Sequence, residues 1–246
     1  MNTSDDTRDK IAPQPAFRPS IDLLIWVIIS IQVIVAVYGL IVLPDAVPIH
    51  WGFRGQADGY GPKWLGTFLY PLISIGIVVL MRVLAAAGPR LGGRENAEAN
   101  LQLRKIIITG IVLFLLITQL STIAQGLGVR FDMTLVIMLA LSVLFLFLGN
   151  YMGKLRRNFW MGIRTPWTLA SSVVWERTHR LGGWLFVAVG LLGILSSFIP
   201  ALRLWGILVP VIAISIFLYI YSYVCYQRVT QKQDEPLSPP FDRDTY

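Results

Sequence analysis

Two histidines, His50 and His179, are the side chains of this sequence best suited to acid–base or metal chemistry. His50 lies between Asp45 and Asp58, and an imidazole with two carboxylates could bind a metal ion. The spacing, however, matches no recognisable pattern of ligands. Cys225 is the only cysteine, so the chain can form neither an intrachain disulfide nor a cysteine-rich metal site. We therefore expect no metal and no cofactor, with a metal at His50 as the alternative.

The surroundings of His179 do not indicate catalysis. Glu176 and the hydroxyls of Ser172 and Thr178 are close to it along the chain, but neighbours in sequence do not make a catalytic triad. The sequence also lacks nucleophile-elbow, zinc-protease, phosphate-binding and dinucleotide-binding motifs. A histidine beside arginines on a surface helix is usually a solvated polar residue, so we expect the protein not to be an enzyme.

The composition is that of an integral membrane protein. Hydrophobic residues make up 55% of the 246 residues and charged residues 14%, with a mean hydropathy of +0.63. The net charge of +7 reflects 21 Lys and Arg against 14 Asp and Glu. In a membrane protein this excess indicates cytoplasmic loops and contact with anionic lipids. We therefore expect membrane lipids as partners and no direct contact with nucleic acid.

Six apolar runs are long enough to cross a hydrocarbon core of about 30 Å. They cover residues 21–43, 64–87, 106–125, 133–150, 183–200 and 205–226. The first run is too long for a signal-peptide core, so we interpret it as an uncleaved first span. Pro200 and Arg203 indicate a tight turn between the last two runs. The predicted fold class is all-α, a polytopic membrane bundle of about six transmembrane helices.

The basic residues predict the orientation of this bundle. With the N-terminus inside, all but four of the Lys and Arg residues face the cytoplasm. The exceptions are Arg54, Lys63, Arg130 and Arg203. Both termini should therefore be cytoplasmic, in a membrane that the chain crosses several times.

This topology divides the chain into five parts. They are a cytoplasmic tail (1–20), a two-span unit (21–87) with an outside loop (44–63), a cytoplasmic connector (88–105), a four-span unit (106–226) and a disordered cytoplasmic tail (227–246). A cytoplasmic segment, 149–183, lies inside the four-span unit.

Apart from Asp22 and Arg82 near span ends, the six runs contain no acidic, basic or histidine side chain. Ion-coupled transporters usually need such a group near the midplane. Gln32, Gln119 and Gln125 are better explained as hydrogen-bond partners between helices. The pattern disfavours a transporter.

The outside loop is rich in proline and glycine, which excludes a long helix, and Asp58-Gly59 predicts a turn. Its aromatic residues suggest that it lies at the level of the lipid headgroups. Two interpretations remain, an aromatic belt that anchors the helix ends and a surface that binds a ligand.

The 149–183 segment combines basic and aromatic residues. Thr165 is suited to cap a short helix that begins at Pro166. Residues 171–181 then predict an amphipathic helix that ends at Gly182-Gly183, with an ion pair between Glu176 and Arg180. It should lie flat at the cytoplasmic membrane interface, between spans four and five along the chain. This helix either anchors the protein or forms a docking face for a soluble partner, since Arg and Trp often dominate interfaces. Gly149 and Gly153 could bring two helices close together.

The same segment, GNYMGKLRRNFWMGIRTPWTLASSVVWERTHRLGG, resembles the signature of the sporulation-delaying-protein immunity family, the SdpI-like membrane proteins. In that signature a GN motif ends one span, and the pattern N…GIRTPWTL…VW…TH…G precedes the next. The outside loop LPDAVPIHWGFRGQADGYGPKW resembles a small domain of unknown function that often precedes it.

The resemblance implies a role in immunity and signalling, and a location in a bacterial cell membrane. Such a protein protects its cell from a secreted antimicrobial peptide or toxin, and it draws a soluble transcriptional repressor to the membrane. On this basis we expect two sets of binding residues. Contacts to a cytoplasmic partner are expected at Asn158, Arg164, Thr165, Pro166, Trp167, Trp175, Glu176 and His179. Ligand contacts in the outside loop are expected at His50, Trp51, Phe53, Asp58 and Tyr60.

Three alternatives remain open. The protein could be a transporter of a small molecule or lipid, or a membrane enzyme that depends on His179 or Glu176. It could also be a structural or envelope-stress membrane protein without a toxin ligand.

Overall fold

The computed structural model describes residues 21–52, 54–92, 96 and 100–234. Its helices are α1 (Ile21–Val42), α2 (Lys63–Gly92), α3 (Leu101–Gly126), α4 (Met133–Met152), α5 (Pro166–Ala170), α6 (Ser172–Ser197) and α7 (Trp205–Asp234). All of them except the five-residue α5 are long and apolar enough to cross a membrane. The predicted all-α bundle with six spans is therefore confirmed.

The spans pack as two groups of three. Helices α1, α2 and α3 contact one another, and α6 packs against both α4 and α7. The contact between α3 and α4 joins the groups. Buried aliphatic side chains such as Ile25, Val78 and Val112 fill the first group, whereas many large apolar side chains on the outside of the bundle are exposed. Exposed apolar surface on this scale suits a lipid environment.

Polar side chains also connect the first three helices. The buried side-chain amide of Gln119 donates to the carbonyls of Gln32 at 2.8 Å and Thr67 at 3.1 Å, and Gln32 donates to the carbonyl of Val112 at 3.4 Å. The prediction of hydrogen bonds between helices is confirmed for Gln32 and Gln119, but it is wrong for Gln125, which bonds Trp51 of the outside loop and the carbonyl of Phe131. Such bonds give a buried amide partners that lipid cannot offer.

The fifth span differs from its prediction in where it begins. Helix α6 starts at Ser172, capped by Ser171, and continues through Gly182 and Gly183 to Ser197. The expected amphipathic helix is thus the first part of a span, and it does not end at the two glycines. Both glycines are buried against other elements, and this packing outweighs the weak helix preference of glycine.

The outside loop contains an antiparallel hairpin that the sequence did not predict. Strand β1 (Ala46–Trp51) pairs with β2 (Ala57–Pro62), from Ala46 opposite Pro62 to Trp51 opposite Ala57. The turn lies between Trp51 and Ala57, and Gly55 within it has a φ of +75°. The predicted turn at Asp58-Gly59 is therefore wrong, because both residues lie within β2. The loop does exclude a long helix, as expected.

Helices extend into two segments that were predicted to be connectors or tails. α2 continues to Gly92 and α3 begins at Leu101, so they take up much of the 88–105 connector. α7 continues to Asp234, so the first part of the predicted disordered tail is helical. Residues 1–20 and 235–246 lie outside the described part of the chain, as does Phe53.

Candidate functional site

The bundle has two ends that differ in structure. We call one the hairpin end, formed by the β-hairpin and the loops at 127–132 and 198–204. The opposite end is the signature end, formed by the loop at 153–165, α5 and the start of α6. Of the residues predicted to bind ligand, the described ones (His50, Trp51, Asp58 and Tyr60) lie at the first end, and those predicted to bind a partner lie at the second.

At the signature end, glycines bring α4 and α6 into close contact. A Cβ atom added to Gly149 would lie 2.7 Å from the carbonyl oxygen of Gly183, and one added to Gly183 would lie 2.7 Å from that of Gly149. The space for an added Cβ at Gly153 is ordinary, with the nearest atom, Cα of Arg180, 3.5 Å away. The predicted close approach of two helices therefore occurs, and its centre is Gly149 against Gly183.

The loop at 153–165 follows α4, and we call it the signature loop. It is held in place by hydrogen bonds from side chains to its backbone. Asn158 accepts from the N–H groups of Trp160 and Met161, both at 2.8 Å. Asn100, at the start of α3, bonds both the N–H and the carbonyl of Arg156 at 2.9 Å. These bonds satisfy backbone groups that have no partner in a helix or strand. They order the loop against the first group of helices.

Trp175 and His179 hold the same loop from α6. The indole Nε1–H of Trp175 donates to the carbonyl of Leu155 at 2.7 Å, and its ring stacks on the imidazole of His179 with centroids 3.9 Å apart. Nδ1 of His179 donates to the carbonyl of Trp175, and Nε2 accepts from the N–H of Ile163, each at 2.9 Å. This arrangement requires a neutral imidazole with its hydrogen on Nδ1.

The expectation that His179 is a solvated surface residue is therefore wrong. Its side chain is fully buried, because the loop lies over this part of α6. Both ring nitrogens already bond backbone groups, so neither is placed to act as a base toward a substrate. Next to the ring, Gly162 has a φ of +95°, and a Cβ atom there would collide with Nε2.

The short helix α5 connects the loop to α7. Thr165 caps it with Pro166 in its first turn, as predicted, and Thr165 and Thr168 form a reciprocal capping box. The hydroxyl of Thr165 also bonds that of Ser222 in α7 at 3.0 Å. Trp167 packs on two tyrosines of α7, with ring centroids 5.1 Å from Tyr219 and 5.0 Å from Tyr223.

Burial divides the residues that were predicted to contact a cytoplasmic partner. Asn158, Thr165, Trp175 and His179 are buried and hold the loop and α5 in place. Arg164, Pro166 and Glu176 are exposed, and Trp167 is half-buried. The buried members are not available to a soluble protein in this conformation, so a docking surface would be formed by the exposed members.

The exposed part of the signature end is strongly basic. A depression of about 360 Å³ is lined by Gly153, Lys154, Leu155, Arg156, Glu176 and Arg180. Glu176 pairs with Arg156 at 3.5 Å, and not with Arg180 as predicted, because the loop brings Arg156 beside α6. With that acid paired, Lys154 and Arg180 leave the depression positively charged.

At the hairpin end, the hairpin is fastened to α3 and α4. The indole Nε1–H of Trp51 donates to the side-chain oxygen of Gln125, whose amide donates to the carbonyl of Phe131 at 2.8 Å. The Thr134 hydroxyl donates to the carbonyl of Gly52 at 2.9 Å. Trp51 is thus a structural contact between the hairpin and the bundle.

An ion pair beneath the hairpin joins α4 to the turn between α6 and α7. Arg203 is buried, and its guanidinium donates to Asp132 at 2.5 Å and to the carbonyl of Ser197 at 2.7 Å. The other oxygen of Asp132 caps α4 by accepting from the N–H of Leu135 at 3.0 Å. Gly55 sits directly against this carboxylate, and a Cβ atom there would collide with it.

Two clefts flank the hairpin. The first, of about 380 Å³, is mostly apolar and includes Ile137, Met138 and Leu204, and we call it the apolar cleft. His50, Trp51 and Asp58, three of the predicted ligand contacts, also line it. The second, of about 660 Å³, is lined by Tyr60 and two arginines, and we call it the arginine cleft.

The acids around His50 do not converge on it as a metal site would require. Asp58 pairs with His50 at 2.5 Å, whereas Asp45 pairs with Lys63 at 3.1 Å. Within the described residues, no group of three His, Cys, Asp or Glu side chains could hold a metal ion.

Six helices that are long and apolar enough to cross a membrane define a multi-pass membrane protein. Residues 154–223 match the model of the SdpI/YfhL protein family, and residues 25–75 match that of a domain of unknown function, DUF1648. The resemblance seen in the sequence is therefore confirmed. The chain is 26% identical to Immunity protein SdpI of Bacillus subtilis (strain 168) over 188 residues, which cover 76% of this chain and 86% of that protein. No solved structure gives a significant match.

Proposed function

We propose that this protein is a membrane immunity protein that protects its cell from a secreted antimicrobial peptide or toxin, and that it relays the presence of the peptide to a cytoplasmic repressor. The observation that carries this proposal is the extent of the similarity to Immunity protein SdpI, over 76% of the chain. The two family models match segments that contain the hairpin and the signature loop. A role in immunity would thus use both ends of the bundle.

The apolar cleft is the proposed site for the peptide. Its walls include Ile137 and Met138 of α4, and His50 and Asp58 lie on the hairpin side. A cleft of this size with a few polar groups resembles the usual sites for small ligands or short peptide segments. An apolar side chain of the peptide would fill it, with the exposed His50–Asp58 pair as a polar contact.

The signature end is the proposed docking site for the repressor, and the distribution of basic residues supports its cytoplasmic location. Exposed Arg164 and Glu176, with the half-buried Trp167, would form the contact. The signal would pass through α4, because this helix is bonded to the hairpin through Thr134 and packed on α6 through Gly149. The proposed relay is thus a shift of α4 relative to α6.

Protection is tested by the survival of a susceptible bacterial strain that expresses the chain and is exposed to a panel of secreted antimicrobial peptides. We expect the wild-type chain to raise the lethal concentration of at least one peptide. Met138→Trp should abolish this protection, because the larger ring fills the apolar cleft. Val143→Trp, on an exposed face of the same helix, is the matched control and should protect fully.

Two results would count against this proposal. If the wild-type chain protects against no peptide although it accumulates in the membrane, the immunity role is excluded. If Met138→Trp protects as well as Val143→Trp, the peptide does not bind in the apolar cleft.

The relay is tested by capture of soluble proteins on nanodiscs that contain the chain. We expect a DNA-binding repressor to be retained by the wild type and lost with Arg164→Ala plus Glu176→Ala. The control is Arg228→Ala, an exposed basic residue at the end of α7 outside this surface. Equal retention by the double variant would show that these side chains do not form the contact.

A further inference from the structure

The arginine cleft lies on the opposite side of the hairpin from the apolar cleft and has a different character. One wall is the hairpin, with Arg54, Gln56 and Tyr60, and the other is the 127–132 loop, with Arg130. Its volume of about 660 Å³ lies within the range of ordinary ligand sites. The two walls are far apart in sequence, so the cleft exists only because the hairpin docks on the bundle.

The charge of this cleft is uncompensated. Arg54 and Arg130 are both exposed, and neither has a hydrogen bond or ion pair with another residue in the described part of the chain. Asp132 is the one acid among the described residues that line the cleft, and Arg203 and the N–H of Leu135 already occupy its two oxygens. Two guanidinium groups are therefore free to bind an anion.

The walls that carry these arginines are held in fixed positions. Gln125 bonds both Trp51 of the hairpin and the carbonyl of Phe131 in the loop. Gly55, the neighbour of Arg54, packs against Asp132. A pair of arginines on a fixed frame loses less freedom on binding than two independent surface side chains.

The surroundings of the cleft indicate where its anion comes from. Tyr60 and Val129, which line the cleft, are 64% and 54% exposed. Trp64, in the first turn of α2 directly after the hairpin, is 58% exposed. Tyr and Trp at the ends of spans mark the level of the lipid headgroups. Guanidinium groups form forked hydrogen bonds that match the oxygens of phosphate.

We propose that the arginine cleft binds the phosphate of an anionic lipid headgroup between Arg54 and Arg130, and that the lipid holds the hairpin against the 127–132 loop. This site is separate from the apolar cleft and does not depend on the protein's being an immunity protein. A bound lipid would slow the opening of the hairpin.

Hydrogen exchange of the hairpin amides at 46–62 tests this directly. The chain is placed in nanodiscs of phosphatidylcholine alone or with increasing fractions of phosphatidylglycerol. We expect phosphatidylglycerol to slow exchange in the wild type. In the variant with Arg54→Gln plus Arg130→Gln, two charge-assisted contacts are lost. The fraction of phosphatidylglycerol needed to slow exchange to the same extent should therefore rise about tenfold or more.

Two controls make the result specific. Arg177→Gln plus Arg180→Gln removes the same charge from the exposed surface of the signature end and should leave the lipid effect on the hairpin unchanged. Exchange of amides within α3 and α4 should be equal in all variants, which confirms that the bundle is intact.

Three outcomes would overturn the proposal. The first is a hairpin that responds to phosphatidylglycerol equally in the wild type and the Arg54/Arg130 variant. The second is protection by inorganic phosphate in phosphatidylcholine nanodiscs that equals the effect of the lipid, since the source would then be a free anion. The third is a hairpin that responds only to an antimicrobial peptide, which would make the cleft part of a peptide site.

Discussion

The backbone N–H of Ile163 donates a hydrogen bond to Nε2 of His179 across 2.9 Å. This contact ties the signature loop to the fifth span. The other ring nitrogen donates to the carbonyl of Trp175, one turn earlier in the same helix. The His179 side chain thus links a helix to a loop, with one hydrogen bond to the backbone of each. The loop also carries Arg164, one of the exposed residues proposed to bind a repressor.

Replacing His179 should destabilise the protein. With His179→Ala, the Ile163 N–H loses its acceptor and a cavity opens beside Trp175. We expect the free energy of unfolding to fall by about 2–4 kcal/mol, measured by titration with a denaturing detergent. His50→Ala is the control, because His50 is exposed, and should change stability by less than about 0.5 kcal/mol. Equal effects of the two substitutions would argue against the buried position of His179.

Gly162 should tolerate no side chain, for two separate reasons. Its φ of +95° is unfavourable for other residues, and a Cβ atom would collide with Nε2 of His179. Gly128 separates these effects, since it has a φ of +88° but open space around its Cβ position. We expect Gly128→Ala to lower the free energy of unfolding by about 1 kcal/mol, and Gly162→Ala to lower it by at least about 2 kcal/mol more. Both values come from the same detergent titration. If the two substitutions lower the free energy of unfolding by similar amounts, the 153–165 loop can move away from His179 without loss of stability.

The close contact between α4 and α6 should also be sensitive to the size of the side chains that form it. Gly183→Ala places a methyl group 2.7 Å from the carbonyl oxygen of Gly149, which lies in a rigid helix backbone. We expect a loss of about 1–3 kcal/mol, measured as a lower melting temperature in detergent. Gly76→Ala is the matched control within a span, because nothing lies within 4 Å of its Cβ position. That control should be neutral or slightly stabilising, since alanine favours helix.

The stability of the protein should depend strongly on the ion pair between the buried Arg203 and Asp132. With Asp132→Asn, the buried guanidinium loses its counter-charge, while an amide oxygen can still cap α4. We expect a loss of about 3–5 kcal/mol in the free energy of unfolding, with faster hydrogen exchange in the 198–204 turn. Asp45→Asn provides the comparison, because the side chain of Asp45 in its pair with Lys63 is 98% exposed. That surface pair should contribute less than about 1 kcal/mol. A small effect of Asp132→Asn on the free energy of unfolding would mean that the Arg203 side chain does not stay buried beside Asp132 in solution.

The spans were predictable because each depends on local composition. A run of some twenty apolar residues has few alternatives to a membrane helix, whatever its neighbours are. The cap at Thr165 with Pro166 was also predictable, because its hydrogen bonds lie within four residues. The hairpin was missed, since its glycines and prolines weaken the alternating pattern that marks a strand and its docking depends on Gln125 and Thr134, far away in sequence.

The sequence by itself determined that this is a membrane protein with six spans, and its signature segment resembled an immunity family, because hydropathy and motifs are properties of contiguous residues. Only the tertiary structure decided which signature residues face solvent. The sequence predicted a solvated His179 and a Trp175 that contacts a partner, yet both side chains are buried because a loop folds over them. The arginine cleft also exists only in three dimensions. Arg54 and Arg130 face one space because the hairpin, itself stabilised by strand pairing, packs against the 127–132 loop.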